Sequence, residues 1–553
     1  MAGHVPLCRV FSAILAIICL TYKSTAGSSG LDYYRKKPIF VDVINKTAMK
    51  RFFISALIVI SAIIALSACG RSASVKAIPD DTFFAVKIAP GKLIDQAGIQ
   101  GNKDLLKILD QSLGKEEYAM VKKIVEDPSS TGVKVKDEIV LAVTPDYPLL
   151  IIPLSSADDF ANFLKKTEVT VHNGKDEILY YVGGDDPDYV QGILMKNLAV
   201  MSLDRYAEAT ELKEAVSGEV NIKDDAFDKF ASTSDPFAFW FSMDALANMP
   251  KKSRMYDSDF RELKALGNSS VFGGIKSEKG EATLYVRPYL DKDLMDDMMA
   301  DVSLKDLIVS GSDKYFKYMP ENPLFVINGA MPDLKKILEN PQFGYQFEEA
   351  LDELGLSKND VKKMGGGTFT LAGNAKDVEI RSSYYSDTPD FHADPSFAMA
   401  IECDEKVFRT IANKVDLPKQ NGAYYIEVDP SGYFFYEDGA IIFMTEDLYR
   451  KSRGSELPDN LAGNSLRKKV ADYGMLLNFQ APEVKKLVKA LLEREYLPSA
   501  VVKLVSNFFA DLDVATLEVT SKPEIRVTIK SNSREYFPKL IVDMILAAGK
   551  AMN

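Results

Sequence analysis

Apolar residues along the chain follow three spacings, and each predicts a different kind of element. Residues 52–66 form a nearly unbroken apolar run, set between Met49-Lys50-Arg51 and Leu66-Ser67-Ala68-Cys69-Gly70. Elsewhere apolar positions alternate with polar ones, as at Ile525, Val527 and Ile529, the period of a half-buried strand. Others recur at helical spacing, as at Phe160, Phe163 and Leu164, or at Val407, Phe408 and Ile411.

The strand and helix patterns occur twice in the same order. Pro79-Asp80-Asp81-Thr82-Phe83-Phe84-Ala85-Val86 aligns without gaps to Pro320-Glu321-Asn322-Pro323-Leu324-Phe325-Val326-Ile327, and a helix start follows each. Strands at 149–152 and 397–401 then lead into helices beginning near Ser156 and Asp404. A meander follows in each half, at 178–182, 189–195 and 198–203, then at 424–428, 433–436 and 440–444. The turns carry Gly, Asn and Asp, as in Glu437-Asp438-Gly439, residues that accept the positive φ of tight hairpins. Strands at 236–241 and 474–479 come next, and then the hairpins 271–276 with 282–287 and 516–520 with 524–530. The chain closes on an amphipathic helix through Phe537, Leu540, Ile541, Met544 and Ile545. Such self-similarity predicts an α+β protein of two tandem repeats, 77–305 and 318–553, each an antiparallel sheet with helices packed on one face.

The first pattern has the layout of a bacterial lipoprotein signal: basic start, apolar core, and small residues before a cysteine. Processing before Cys69 would leave that residue at the mature N-terminus, carrying palmitate-type acyl chains on its sulfur and amino group. Stable anchoring needs more than one such chain, at about 0.8 kcal/mol per buried methylene. An uncleaved anchor is the competing reading, since residues 52–68 nearly span a bilayer; it leaves Leu-Ser-Ala-Cys-Gly without a purpose. Residues 1–48 hold a second apolar segment at 10–20 that would be redundant, so they read as an over-extended N-terminus. The signal is then 49–68, and 69–76 is a short tether.

The Leu-Ser-Ala-Cys site, the following Ile78-Pro79-Asp80-Asp81-Thr82, the apolar strand after it and the Lys92-Leu93-Ile94 helix start, with a body near 480 residues, resemble an uncharacterised Bacteroidetes lipoprotein family, domain of unknown function 4836. The likeness covers 69–553. It implies a Gram-negative cell-envelope location and brings no activity, cofactor or catalytic residue. Gly70-Arg71-Ser72-Ala73-Ser74 lacks the acidic residues that often follow the cysteine of surface-displayed relatives, which favours the periplasmic side of the outer membrane.

Charge narrows the partners. Residues 1–68 carry eight basic and two acidic residues, so the mature chain keeps 59 basic against 77 acidic, a net charge of −18. Such a surface repels nucleic-acid phosphates. Only Cys69 and Cys403 survive in the mature chain, and with Cys69 acylated no intramolecular disulfide is available. Cys403 falls at a strand-to-helix junction and reads as a small apolar residue.

Candidate chemistry is sparse. His172 precedes Asn173-Gly174, which reads as a hairpin turn; His392 reads as a loop residue, and neither has a ligand partner at zinc spacing. No Gly-x-Ser-x-Gly elbow is present. Acidic groups at Asp185, Asp186 and Asp188, at Asp291 to Asp301, and at Asp511 with Asp513 lack the ligand order of a calcium loop. Gly365-Gly366-Gly367 reads as a turn, and Gly273-Gly274 as a bulge within a strand. Tyr384-Tyr385 reads as a strand end, and the single Trp240 tells against a sugar-binding platform. The expectation is a non-enzymatic envelope lipoprotein without cofactor or metal. It would sit on the membrane through Cys69 and bind or scaffold an envelope protein or small ligand, with the cleft between the repeats as the natural place. A solute-binding lipoprotein for nutrient uptake is the alternative, and a hydrolase using dispersed carboxylates a further one.

Overall fold

Packing is clearest in the alternation of β-strand side chains, which feed two cores on opposite faces of one sheet. The computed structural model describes residues 72–112, 115–166, 169–173, 179–182, 190–203, 207–218, 220–251, 253, 267–291, 312–330, 367–381, 390–415, 418–420, 422–427, 430–453, 460–472, 474–494, 499–520 and 524–552. All lie within one compact unit, Ile60–Asn553. Cys69, Asp185, Asp186, Asp188, Gly365, Gly366, Tyr384, Tyr385 and the acidic group beyond Asp291 lie outside the described residues.

The chain opens with α1 (Ala73–Lys76), β1 (Phe84–Ile88), α2 (Pro90–Ala97), α3 (Lys103–Ser112) and α4 (Lys115–Glu126). Then come β2 (Ile139–Val143), β3 (Pro148–Pro153), α5 (Ala157–Lys166), β4 (Thr170–Asn173), β5 (Leu179–Val182), β6 (Val190–Leu194) and β7 (Leu198–Ser202). Helices α6 (Ala209–Ser217) and α7 (Asp225–Ser232) lead to β8 (Phe237–Ser242), α8 (Met243–Ala247), β9 (Ser270–Glu278) and β10 (Glu281–Tyr289). The later part has β11 (Phe325–Ala330), β12 (Thr368–Arg381), β13 (Asp390–Glu402) and α9 (Glu405–Val415). It continues through β14 (Lys419–Gln420), β15 (Ala423–Ile426), β16 (Gly432–Glu437), β17 (Ala440–Thr445), α10 (Glu446–Ser452) and α11 (Leu466–Asp472). It ends with β18 (Met475–Asn478), α12 (Pro482–Arg494), α13 (Ser499–Asp511), β19 (Leu512–Thr520), β20 (Glu524–Ser531) and α14 (Phe537–Met552).

All described strand pairs are antiparallel and form one 20-stranded sheet. Its order is β4-β5-β6-β7-β3-β2-β1-β8-β9-β10, then β20-β19-β18-β11-β12-β13-β17-β16-β15-β14. The expected α+β class with antiparallel pairing is therefore present, but not as two separate sheets. The last strand of each half would be an open edge, and β10 and β20 close those edges on each other from Glu281–Lys530 to Val286–Ile525.

Nor do the helices keep to one face. Leu149 and Ile151 of β3 pack with Phe227 and Phe230 of α7 and with Leu212 of α6. The alternate residues, Leu150 and Ile152, pack with Phe160 and Leu164 of α5. In β16, Tyr433 stacks on Tyr449 of α10 at 4.0 Å, while Phe434 and Tyr436 turn to Phe408 of α9 at 5.2 and 5.6 Å. Period-two alternation with apolar residues on both sides requires cover on both sides.

Several local expectations change. Residues 72–76 of the expected tether form a capped helical turn, and Val75 is fully buried in the core. His172 lies in β4, exposed, and the backbone of His392 is in β13, so His392 is not a loop residue. Gly273-Gly274 makes no bulge, because β9 keeps unbroken register with β8 and β10. At Gly273 a Cβ would stand 2.4 Å from Phe239 Cζ and 2.7 Å from Tyr285 O, so glycine is there for close approach. Asp438 does adopt positive φ, 52°, in the Asp438-Gly439 turn between β16 and β17.

Candidate functional site

Two clefts stand out, and both begin at the Pro-acidic loops that the sequence pairs with each other. The first, about 660 Å3, is lined by Pro79, Asp80 and Asp81 before β1, by Thr144, Asp146 and Tyr147 between β2 and β3, and by Glu211, Glu214 and Ala215 of α6. The second, about 310 Å3, is lined by Pro320, Glu321 and Asn322 before β11, by Asn374 of β12 and Ser396 of β13, and by Leu448, Lys451 and Ser452 of α10.

The strand registers around the two clefts run alike. Ala85 pairs with Ala142 and Ala142 with Leu149; likewise Val326 pairs with Ala372 and Ala372 with Ala398. Thr144 and Tyr147 thus take the places of Asn374 and Ser396. Counted from their caps, Glu208 and Thr445, the third, sixth and seventh residues of the two helices are Glu211, Glu214, Ala215 and Leu448, Lys451, Ser452. Each cleft is thus lined by a Pro-acidic loop, residues of two neighbouring strands or their turn, and one helix.

Their electrostatics differ. Five carboxylates line the first cleft, and none of its lining residues is basic. Asp80 is held by the backbone N–H of Asn221, donating to Oδ1 at 2.5 Å. Glu208 and Glu211 form the capping box that starts α6, with the Glu208 N–H donating to Glu211 Oε2 at 3.3 Å. The carboxyl of Asp81 is raised, first by desolvation of the partly enclosed group and then by the charges of Asp146 and Asp80, against a backbone hydrogen bond that lowers it.

The second cleft is mixed in charge. Lys317 pairs with Asp438, and Asn374 Oδ1 accepts from the Leu324 N–H at 2.6 Å. Asn322 Oδ1 accepts from Asn464 Nδ2 at 2.8 Å, and the Ser396 hydroxyl donates to Asp447 at 2.9 Å. Its extra wall is Pro482 and Glu483, at the start of α12. There the Glu483 Oε2 atom is buried without a hydrogen-bond partner.

The other residues considered from sequence do not converge. His172 is on an outer strand, and Cys403 is half-buried with its thiol pushed up to about 11, chiefly by burial. Asp513 pairs with Lys469 at 2.6 Å, and Asp291 accepts from the Asn268 N–H at 3.2 Å. Trp240 is buried in the core, its Nε1 donating to Asp224 at 3.2 Å, so it offers no exposed platform. Among the described residues no group of three or more His, Cys, Asp or Glu side chains could hold a metal, and no helix is long and apolar enough to cross a membrane. The Pro-acidic loops were visible in the sequence as repeat markers; the helix positions completing each cleft carry no signal of their own.

No protein-family model and no curated protein matches the chain. Among solved structures, crystal form I of TP0453 is similar over 41% of this chain and 80% of its own, at 11% identity and a TM-score of 0.23. Crystal form III of TP0453 is similar over 41% and 84%, at 12% identity and a TM-score of 0.22. Likeness at that level carries no argument about fold or function.

Proposed function

We propose that the chain is a non-enzymatic cell-envelope lipoprotein, anchored through acylated Cys69 to the periplasmic side of the outer membrane. Its body is two α+β repeats, 77–305 and 318–553, that bind an envelope partner or small ligand. The observation carrying the binding role is the pair of clefts built from matching positions. Duplication is supported by the strand order: renumbering β11–β20 as β1–β10 turns the second run of the sheet into the first, reversed. It is also supported by a shared buried contact. Lys87 of β1 donates to Ala231 O at the end of α7, and Asn328 at the corresponding place in β11 reaches Val470 O in α11.

Ser72 already caps the first folded turn, so only Gly70 and Arg71 separate Cys69 from the body. At most about 3.5 Å per residue, three residue steps hold the start of the body within roughly 10 Å of the anchor.

Photo-crosslinking in intact cells tests the binding role, with the photoreactive residue at Ala215, at Ser452, or at exposed Lys122 as control. Adducts specific to the two cleft positions are expected; the same adducts from Lys122, or none at either cleft, would contradict it. One observation favours a second reading, a hydrolase: Asp81, with a raised carboxyl, lies in the same cleft as Asp146. Turnover of a glycoside or ester abolished by Asp81→Asn would decide for that reading.

A further inference from the structure

The strands at the join between the halves expose the side that strands ordinarily bury. On one side of the sheet Leu284 of β10 pairs with Val527 of β20, Val527 with Leu517 of β19, and Leu517 with Met475 of β18. Directly paired residues share a face, so these four side chains stand in one row across the join. Leu284 and Met475 are 40% and 38% exposed, whereas Thr516 and Glu524, on the other side of the same strands, are 2% and 3% exposed. Neighbouring pairs on the open side are apolar as well, Val286 with Ile525 and Ala282 with Ile529. A join that hides threonine and glutamate while showing leucine and methionine leaves an apolar strip for something else to cover. Following the register outward, the same side reaches Leu150, packed with α5, in the first half. In the second half it reaches Phe434, packed on Phe408 of α9. The row thus lies between two helix-covered flanks.

We infer that this row seats one long acyl chain, the tail of a single lipid molecule lying across the join. From β10 to β18 the row crosses three interstrand spacings, about 14 Å in all. One leaflet's acyl chains fill half of a hydrocarbon core of about 30 Å, so a tail and the row match in length. None of the residues named on this side is charged, so a charged ligand gains nothing there, while each methylene buried strengthens binding about fourfold. A single chain also reaches between helix-covered flanks, where a flat bilayer surface is held off. Leu284 comes from the first half and the other three residues from the second, so neither half alone carries the whole row. The row shares no residue with either cleft, and its occupant is independent of theirs.

Fluorescence titration with cis-parinaric acid tests this, on the mature chain carrying Cys69→Ala so that no acyl group of its own competes. Saturable binding of one probe per chain is expected, displaced by palmitate and at least about a hundredfold less well by the shorter octanoate. Leu284→Glu and Met475→Glu, at exposed positions, should each weaken probe binding about tenfold or more. Leu203→Glu, at an exposed leucine away from the row, should leave it unchanged. Photoactivatable palmitate followed by peptide mass spectrometry needs no row variant to fold, and adducts in β10, β18, β19 or β20 are expected. No saturable probe binding, equal binding in all three variants, or adducts confined to other elements would overturn the inference. Binding to phosphatidylethanolamine–phosphatidylglycerol vesicles without displacement of the probe by palmitate would overturn it too, and would make the row a membrane-contact face instead.

Discussion

Lys87 shows how far a single residue can depart from its pattern. In Phe84-Ala85-Val86-Lys87-Ile88 a lysine would be expected to face water, yet it shares the core-facing side with Ala85 and is fully buried. Its ammonium donates to Thr233 O at 2.6 Å and Ala231 O at 3.3 Å, with Glu138 at 3.9 Å. These carbonyls close the end of α7, where a cation is favoured. Burial nonetheless pulls the amine down to about 8, against the raising effect of Glu138 and Asp235. Because the folded value lies below the unfolded one, the unfolded chain binds more protons between about pH 8 and 10.4, and stability rises with pH across that window. Urea unfolding of wild type and Lys87→Met between pH 7.5 and 9.5 should show the wild type gaining on the variant, by up to about 3 kcal/mol over the full window. A gap that does not move with pH would mean that Lys87 does not titrate in this way.

At the scale of elements, the join between β10 and β20 matters most. Glu281 faces Lys530 at 3.7 Å, the Thr283 and Thr528 hydroxyls lie 3.0 Å apart, and Arg287 Nε donates to Glu524 Oε2 at 2.9 Å. Glu524 is buried, which alone would raise its carboxyl; hydrogen bonds from Arg287 and Arg526 bring it below the ordinary value instead. Such a carboxylate stabilises the fold above the unfolded value, near pH 4.3, and the contribution is lost as pH falls through the lower folded value. Glu524→Gln leaves two guanidinium groups without their acceptor charge and is expected to cost about 2–3 kcal/mol at pH 7 by chemical denaturation. Glu126→Gln, removing the exposed pair with Lys122, should stay within about 0.5 kcal/mol. Equal effects of the two would show that the join does not depend on Glu524. This join was not legible in the sequence. The alternation of Ile525, Val527 and Ile529 identifies a strand with one apolar face, but any strand could pair with it.

Across the whole molecule, many strands were readable because turn residues bound them, whereas β2 and β4 were not read. The cover on both faces was not, since alternation alone does not say whether the polar-looking side meets water. Phe434 and Tyr436 show this, turning to Phe408 while Tyr433 and Phe435 enter the opposite core. The clefts were half legible: Asp80, Asp81, Glu321 and Asn322 stood out as repeat markers, whereas Glu214 and Lys451 are ordinary exposed-face helix residues until the fold brings them beside those loops. We propose that this body sits at a membrane on a lipidated cysteine. Metabolic labelling with a fatty-acid analogue, comparing wild type with Cys69→Ala in the envelope and soluble fractions, tests that claim most directly. Label and protein together in the envelope are expected for wild type, and an unlabelled Cys69→Ala protein released from it. Label retained by Cys69→Ala, or wild type that takes up none, would contradict it.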